Sequence, residues 1–179
     1  MAEQTILIRP IQIKEQYALI SDMMRGLHES EQGLFDKSDT WDNIAANYMN
    51  HVISMQEENE GVCLVAYIGE KAVGFIFGYA EEDDDSRIEV YKGIELYVSD
   101  GYVTPLYRKQ GVYEKLNEAL EKIYTDKGVR RITRFTLSSN TRMQHFLEKN
   151  GYVVTRLLYE KWLEPDGKTI QKLALEPPQ

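Results

Sequence analysis

A short segment past the middle of the chain combines the residue types that bind anions. Within residues 103–113 an apolar run ends at Pro105, the basic residues Arg108 and Lys109 follow, and a helical pattern begins near Gly111. The first amides of a helix have no partners inside it and lie at the positive end of its dipole, which suits a pyrophosphate. Because glycine has no side chain, a phosphate can approach the backbone closely there. An ordinary strand-to-helix turn has the same composition, so this segment alone does not separate the two interpretations.

The other reactive side chains do not suggest a competing site. The single cysteine, Cys63, lies in an apolar run of a predicted strand, which favours a buried thiol over a nucleophile. The three histidines, His28, His51 and His145, are widely spaced on predicted helices. We expect them on the surface rather than in a metal site or a catalytic triad. Residues 103–113 therefore remain the part of the sequence that carries chemistry.

The elements that must position this segment follow from the spacing of apolar residues. A period of two predicts strands, and a period of 3.6 predicts helices. A strand–helix–strand unit over about residues 94–137 implies one parallel strand pair inside an otherwise antiparallel sheet. The predicted strands cover residues 6–8, 62–68, 72–80, 88–104, 131–137, 153–163 and 169–175, and the predicted helices cover residues 13–29, 41–57, 112–127 and 141–149.

Length, composition and charge restrict the kinds of protein that this chain can be. The 179 residues suit one domain spanning residues 1–179, and a hydrophobic share of 42% provides a core without disulfides. The net charge of −8 repels phosphate backbones, so we expect no nucleic-acid partner. A cationic amine suits this charge, although acidity that only aids solubility would give the same value. No apolar run is long enough to span a membrane and no signal peptide is visible, so we expect a cytoplasmic location and no membrane partner.

Two motifs resemble one known family. The order Val-x-Pro-x-x-Arg-x-x-Gly-Val is similar to the acyl-CoA-binding motif of the GNAT superfamily of N-acetyltransferases. A second segment, at the expected distance, is similar to that family's Asn-x-x-Ala-x-x-Phe-Tyr-x-x-x-Gly-Phe pattern. Shorter matches at Ile8-Arg9-Pro10 and Val73-Gly74-Phe75 extend the resemblance over almost the whole chain. The motif residues are Val103, Pro105, Arg108, Gly111 and Val112 in the first segment and Asn140, Met143, Phe146, Leu147, Gly151 and Tyr152 in the second.

The resemblance implies an α+β fold: a mixed, mostly antiparallel sheet splayed at a central parallel strand pair, with helices on both faces. Acetyl-CoA, the acetyl donor, would lie where the strand ending at Val103 parts from the strand ending near Leu137. By resemblance, the backbone around Val103 would hold the pantetheine arm as though it were an added strand. Asn140 would contact the cofactor and Phe146 would line its pocket, although Asn140 could instead cap a helix and Phe146 could also belong to the core. The pyrophosphate would be held by backbone amides from Arg108, Lys109, Gln110, Gly111, Val112 and Tyr113.

The implied reaction moves an acetyl group directly from acetyl-CoA to a primary amine, with a small amine favoured over a peptide amine and no acyl-enzyme. An alkylamine of pKa ~10.4 must lose a proton before it attacks. Glu95 and Asp100 are the candidate bases; strict alternation places them on opposite faces of their strand, but a bulge would change that count. Two other interpretations stay open, a non-catalytic acyl-CoA-binding or regulatory module and an unrelated interaction domain. The C-terminal strands are a candidate homodimer interface.

Two positions depart from the family pattern. Tyr113 stands where the family has Gly or Ala, so its side chain could narrow the cleft. Leu147 stands where many members have a tyrosine that protonates the leaving thiolate, and leucine cannot donate a proton. The phenols Tyr113, Tyr152 and Tyr159 are alternative donors between which the sequence does not decide. A thiol of pKa ~8.5 can also leave without an acid.

Overall fold

The computed structural model describes residues 5–82, 90–91 and 93–163. The chain divides into two units, residues 1–135 and residues 136–179, and each is described by itself. The strand predicted at residues 169–175 lies outside the described residues, as do residues 88, 89 and 92 of the strand predicted at 88–104. The described residues 90, 91, 93 and 94 are irregular, so that strand begins later than predicted, at Glu95. The single domain spanning residues 1–179 remains a prediction.

The elements of the first unit follow the predicted order. Its strands are β1 (Ile6–Ile11), β2 (Val62–Ile68), β3 (Lys71–Glu81), β4 (Glu95–Val103) and β5 (Ile132–Thr133). Its helices are α1 (Tyr17–Gln32), α2 (Trp41–Glu58) and α3 (Val112–Asp126), with a short 3-10 turn at Pro105–Tyr107.

These strands form one sheet in the order β1-β2-β3-β4-β5. The pairs from β1 to β4 are antiparallel and the β4–β5 pair is parallel, which confirms the predicted mixed, mostly antiparallel sheet. The parallel pair is short: Leu96 lies beside Ile132 and Tyr97 beside Thr133. Since β5 ends there and β4 continues to Val103, the two strands part after Tyr97.

Helices pack on both faces of the sheet, as predicted. On one face α1 and α2 cover Val65, Phe75 and Phe77, and on the opposite face α3 covers Leu64 and Ile76. Successive residues of a strand point to opposite faces, so a strand covered on both sides is apolar throughout. Each fully buried side chain of this kind contributes roughly 1.5–3 kcal/mol. The two apolar layers therefore fix α2 and α3 against the strand that enters the anion-binding segment.

The first helix begins later than predicted, at Tyr17 rather than Ile13. The reason is a side chain of α2: the Gln56 carboxamide accepts from the Ile13 amide at 2.7 Å and donates to the Ile11 carbonyl at 2.9 Å. Ile13 is fully buried, so its apolar side chain contributed to the helical pattern without being part of the helix. The backbone of Ile13 therefore follows the strand end, not the helix.

β5 is shorter than the predicted strand over residues 131–137. After Thr133 the chain no longer pairs with β4, and the Arg134 side chain turns toward α3, where it donates to the Asn117 Oδ1 atom at 2.6 Å. The predicted strand was thus wrong at its C-terminal end, where residues 134–137 are irregular.

The second unit contains helix α4 (Thr141–Lys149). Asn140 is its N-cap, since its side chain accepts from the Met143 amide at 3.1 Å. The strand predicted at residues 153–163 is wrong: the backbone is irregular apart from a bridge at Leu163. Val153 and Leu158 are 78% and 84% exposed, and no strand of this unit lies within the described residues to pair with theirs.

Candidate functional site

The loop between β4 and α3 is built by local backbone preferences. β4 ends at Val103, and the Thr104 amide donates to the Val73 carbonyl at 2.9 Å. Pro105 opens the 3-10 turn, where its missing N–H costs nothing and its fixed φ suits the turn. The loop then passes through two residues with positive φ, Lys109 at 62° and Gly111 at 76°. These conformations turn the chain into the first turn of α3.

The N-terminus of α3 is open. Gly111 is its N-cap and provides no capping side chain, and the first helical bond runs from the Lys115 amide to the Gly111 carbonyl at 3.1 Å. A Cβ placed on Gly111 would meet no atom within 4 Å. Space is therefore open beside Gly111, at the positive end of a helix of 15 residues, which is an arrangement that suits an anion.

Arg108 braces this loop. Its Nε donates to the Val103 carbonyl at 2.8 Å, its Nη2 lies 3.5 Å from the Ser30 Oγ, and its guanidinium carbon lies 5.4 Å from the centre of the Tyr102 ring. The guanidinium thus connects the end of β4 with α1. Among the other predicted loop residues, Lys109 and Gln110 are exposed, and the Gln110 side chain donates to the Leu106 carbonyl at 3.0 Å.

Tyr113 points into the first unit rather than into solvent. Its ring lies against Gly101 of β4, where an added Cβ would come within 2.8 Å of the Tyr113 Cε2 atom. Its hydroxyl lies 3.3 Å from the Arg134 Nη1. Burial raises the pKa of Tyr113, and the charge of Arg134 opposes that rise. Val112, beside it in sequence, is buried in the core under α3.

A β-bulge decides where Asp100 points. Phe77 of β3 pairs with Asp100 but the next residue, Gly78, pairs with Val98, so Ser99 is an extra residue in β4. Asp100 therefore shares the face of Tyr97, the face covered by α1 and α2, and not the face of Val98 that strict alternation predicts. The bulge that the sequence left open is thus present.

Asp100 is a buried carboxylate with two hydroxyl partners. It is 6% exposed, Tyr48 of α2 donates to its Oδ1 at 2.6 Å, and Ser99 donates to its Oδ2 at 2.6 Å. Burial raises its pKa, while the bonds from Ser99 and Tyr48 and the nearby His51 lower it. These opposing effects leave the pKa of Asp100 raised, which makes this carboxylate a candidate proton acceptor.

Glu95, the other predicted base, lies at the far end of β4. Its carboxylate is 4% exposed and forms an ion pair with the Arg131 Nη1 at 3.0 Å. The backbone supports the same junction, since the Leu96 amide donates to the Arg131 carbonyl at 3.0 Å. At ~3.3 Å per residue, Glu95 is roughly 16 Å from Asp100 along the strand. The structure does not bring the two candidate bases together.

Sequence reasoning missed Tyr48. Tyr48 lies within the predicted helix at residues 41–57, and nothing near it in the sequence indicates a partner 52 positions away. Glu31, also missed, lies close enough to Asp100 that, after burial, the Asp100 charge raises its pKa. Nothing in the sequence around Glu31, at the polar end of α1, indicates that this second acid lies near Asp100.

Two predicted cofactor residues belong to the second unit. Asn140 caps α4, and Phe146 is half-buried on the same helix as the buried Leu147. The capping interpretation of Asn140 is thereby confirmed, and contact of either residue with a cofactor remains a prediction. Of the alternative phenols in this unit, Tyr152 is half-buried and Tyr159 is 86% exposed.

Other classes of site find no support within the described parts of the chain. Cys63 is buried, and burial followed by the Asp100 charge raises its pKa, as expected for an inert thiol. Residues 5–82, 90–91 and 93–163 contain no group of three or more His, Cys, Asp or Glu side chains that could hold a metal ion. None of the helices described has the length and apolar character needed to cross a membrane.

Comparison with known proteins gives one family and many solved structures of the same fold. The model of the acetyltransferase (GNAT) family matches residues 21–152. No curated protein sequence matches the chain significantly. The structure of a GCN5-related N-acetyltransferase from Ralstonia eutropha JMP134 matches with a TM-score of 0.71 at 13% identity, over 87% of this chain and 97% of that chain.

Two aminoglycoside acetyltransferases have the same fold. AAC(6')-Iy in complex with CoA matches with a TM-score of 0.62 at 20% identity, over 87% of this chain and 93% of that chain. The enzyme meta-AAC0020 from an uncultured soil metagenomic sample matches with a TM-score of 0.62 at 17% identity, over 89% of this chain and 95% of that chain. At these identities the likeness establishes the fold.

Proposed function

The chain belongs to the acetyltransferase (GNAT) family, and from that premise we propose that it moves an acetyl group from acetyl-CoA directly to a small primary amine. Family membership makes the protein an N-acetyltransferase with acetyl-CoA as donor; the acceptor and the direct route are the proposal. One observation carries it. A single strand, loop and helix present both a buried carboxylate, Asp100, and an open helix terminus at Gly111.

The head of α3 fits the pyrophosphate of the donor. The positive φ of Gly111 and the free space beside it leave room for a phosphate at backbone amides of residues 111–113, and the exposed Lys109 adds a positive charge. When bound, acetyl-CoA supplies the thioester that the amine attacks. Arg108 already donates to the Val103 carbonyl, so its proposed role is to hold the loop and the end of β4 in place. The relative named AAC(6')-Iy was solved with CoA, which agrees with this donor.

Asp100 is the proposed general base, and Glu95 is assigned to structure. An ammonium of pKa ~10.4 must lose a proton before the nitrogen can attack a carbonyl. Asp100 is buried beside hydroxyl groups, and its burial moves its pKa toward the range in which it can accept that proton. Glu95 forms an ion pair with Arg131 at the other end of β4, so we do not assign it the role of general base.

The acceptor is proposed to be a small cationic amine. The acids Glu31 and Asp100 lie close together on the face covered by α1 and α2, and the protein carries a net charge of −8. Two relatives of the same fold are named as aminoglycoside acetyltransferases. Direct transfer is proposed because the single cysteine, Cys63, is buried and its thiol pKa is raised, which makes it a poor nucleophile for an acyl-enzyme.

The leaving thiolate needs no tyrosine from α4. Leu147 occupies that place and cannot donate a proton, and a thiol of pKa ~8.5 leaves without one. The homodimer, the cytoplasmic location and a peptide acceptor remain predictions from the sequence.

The experiment has two stages. Acetyl-CoA binding is measured by calorimetry with ATP and NAD as controls, and CoA release is then followed with a panel of amines: kanamycin, spermidine, ethanolamine and a lysine peptide. Selective binding and release with a small amine support the proposal. Binding without release from any amine would favour a non-catalytic acyl-CoA-binding module, and the absence of binding at millimolar acetyl-CoA would contradict the cofactor assignment.

A further inference from the structure

The carboxylate of Asp100 is enclosed by two hydroxyl groups. The Tyr48 hydroxyl donates to one carboxylate oxygen and the Ser99 hydroxyl donates to the other, each at 2.6 Å. Hydrogen bonds of this length to an ionised oxygen are strong and fix geometry. Asp100 is 6% exposed, whereas Ser99 and Tyr48 are half-buried. Asp100 is therefore more deeply buried than the two residues whose hydroxyl groups bind its carboxylate.

This inference rests on the proposed function and deepens it: we propose that Tyr48 positions Asp100, and that the Ser99 hydroxyl passes the proton from the acceptor amine to the Asp100 carboxylate. Ser99 is the extra residue of the bulge, so its hydroxyl lies beside the carboxylate of the residue that follows it. An acid that cannot reach the amine directly can still act through this neighbour.

Tyr48 is held by the core of α2. Its ring packs edge-on against Trp41 with 6.0 Å between the ring centres, and Trp41 is 5% exposed. Burial raises the pKa of Tyr48, and the Asp100 charge raises it further. The phenol therefore stays protonated near neutral pH, where it can donate to Asp100.

The proton balance is simple. The ammonium loses one proton to the Ser99 oxygen while the Ser99 proton moves to the Asp100 Oδ2, so the products are a neutral amine, an unchanged serine and a protonated Asp100. The amine nitrogen then bonds to the thioester carbon, the carbon–sulfur bond breaks, and CoA leaves as a thiolate. The nitrogen sheds its remaining extra proton to water, and Asp100 returns its proton to the solvent or to the thiolate.

Other ionisable groups face this carboxylate from the elements around it. Only His51 among them favours the charged carboxylate, so the two hydroxyl bonds supply most of the local support for the anion. Loss of either bond should raise the Asp100 pKa. The groups are Glu31 on α1, His51 on α2, Cys63 on β2, Tyr79 on β3, Tyr97 on β4 and Tyr113 on α3.

The test compares Tyr48→Phe, Ser99→Ala and Asp100→Asn, with Tyr124→Phe as the matched control. Tyr124 is also buried, and its hydroxyl donates to the Glu60 carbonyl at 2.6 Å, away from Asp100. CoA release is measured from pH 5 to pH 9 with the best amine of the panel. The Asp100 carboxyl carbon is followed over the same range by NMR of protein labelled with [13C]aspartate, and Asp100→Asn identifies its signal.

We expect Tyr48→Phe to keep the KM for acetyl-CoA, to lower kcat about tenfold, and to move both the acid limb of the rate and the Asp100 titration to higher pH. Ser99→Ala should lower kcat at least tenfold, and Tyr124→Phe should leave the pH profile in place. If Asp100→Asn is inactive but the Tyr48→Phe titration superposes on the wild type, the positioning role of Tyr48 is wrong. If Ser99→Ala keeps the wild-type rate, the relay is wrong. Full activity of Asp100→Asn would instead overturn Asp100 as the base and the relay with it.

Discussion

Tyr113 of α3 lies against Gly101 of β4, and a Cβ on Gly101 would come within 2.8 Å of the Tyr113 ring. Because Gly101 has no side chain, it leaves the space that the Tyr113 ring occupies. The bulge at Ser99 turns Gly101 to the face covered by α3, where this contact becomes possible. A tyrosine in place of the family's small residue is therefore matched by a glycine on the neighbouring strand.

Replacement of Gly101 by alanine should destabilise the fold by about 1–3 kcal/mol, because the added carbon displaces the Tyr113 ring and its contact with Arg134. Urea denaturation measures the change. The double variant Gly101→Ala with Tyr113→Ala removes the obstacle, so the alanine at 101 should then cost little. Equal costs in both backgrounds would mean that the contact with Tyr113 does not set the need for glycine.

Gly111→Glu should weaken CoA binding by orders of magnitude, since it places bulk and negative charge at the open head of α3. Calorimetry measures the affinity. Gly128→Glu is the matched control: Gly128 follows the C-terminal end of the same helix, has φ 91°, and also faces open space. Both variants lose a glycine at positive φ, at a cost of roughly 1–2 kcal/mol. Similar CoA affinities for the two variants would contradict the pyrophosphate site.

Arg108→Lys should lower CoA affinity about tenfold, because lysine cannot both donate to the Val103 carbonyl and lie flat over Tyr102. The loss should change little with salt, as expected for a brace. Lys109→Gln removes only an exposed charge, so its smaller effect should disappear at high salt. Calorimetry at two ionic strengths separates the two roles, and the opposite pattern would mean that Arg108 contacts the phosphates.

Glu95→Gln should destabilise the protein by about 1–4 kcal/mol, because it removes the charge partner of the Arg131 guanidinium, which is 25% exposed beside the buried Glu95 side chain. The shape of the pH–rate profile should not change. Glu57→Gln, which breaks an exposed ion pair with Lys14, should cost at most about 1 kcal/mol. Denaturation curves measure the stability, and rates measured against pH test the role in catalysis. A Glu95→Gln variant that is stable but has lost the acid limb of its pH–rate profile would identify Glu95 as the base.

The contribution of Asp100 to the free energy of unfolding changes with pH in a definite direction. Burial raises its folded pKa above the unfolded value, so its contribution is fully present below the unfolded pKa and is lost as pH rises through the folded pKa. Asp100→Asn carries no such charge. The stability of this variant relative to the wild type should therefore increase as pH rises above the unfolded value of about 3.9. Urea denaturation between pH 4 and pH 8 measures the difference, and a constant difference would contradict a raised pKa.

The sequence predicted the layers and the strand–loop–helix because these depend on local pattern. The apolar alternation of β2 and β3 and the stripe of α3 each lie within one element, and the turn at Gly111 needs only its own backbone. The irregular stretch at residues 153–163 was missed because alternation alone does not supply a partner strand.

The missing parts of the site depend on contacts between distant elements. Tyr48 looks like any apolar residue of α2, and its bond to Asp100 exists only once α2 lies on β4. The ion pair between Glu95 and Arg131 likewise forms only when β5 joins the sheet. Such contacts produce no periodic pattern in the neighbouring sequence. Asp100 could therefore be predicted as a candidate base, but its hydrogen-bond partner Tyr48 could not.

The extra residue Ser99 changes which residues of β4 face which layer of helices. Before Ser99 the even-numbered residues face α3, and after it the odd-numbered residues do. Leu96 and Gly101 therefore lie on one face of the sheet, while Tyr97 and Asp100 lie on the other. Deleting Ser99 would remove only the extra residue: Val98 and Asp100 would keep their partners Gly78 and Phe77 and their present faces. A strand that kept Ser99 but lost the bulge would instead turn the carboxylate into the apolar layer beneath α3, so with this sequence the polar centre depends on the irregular backbone at one residue.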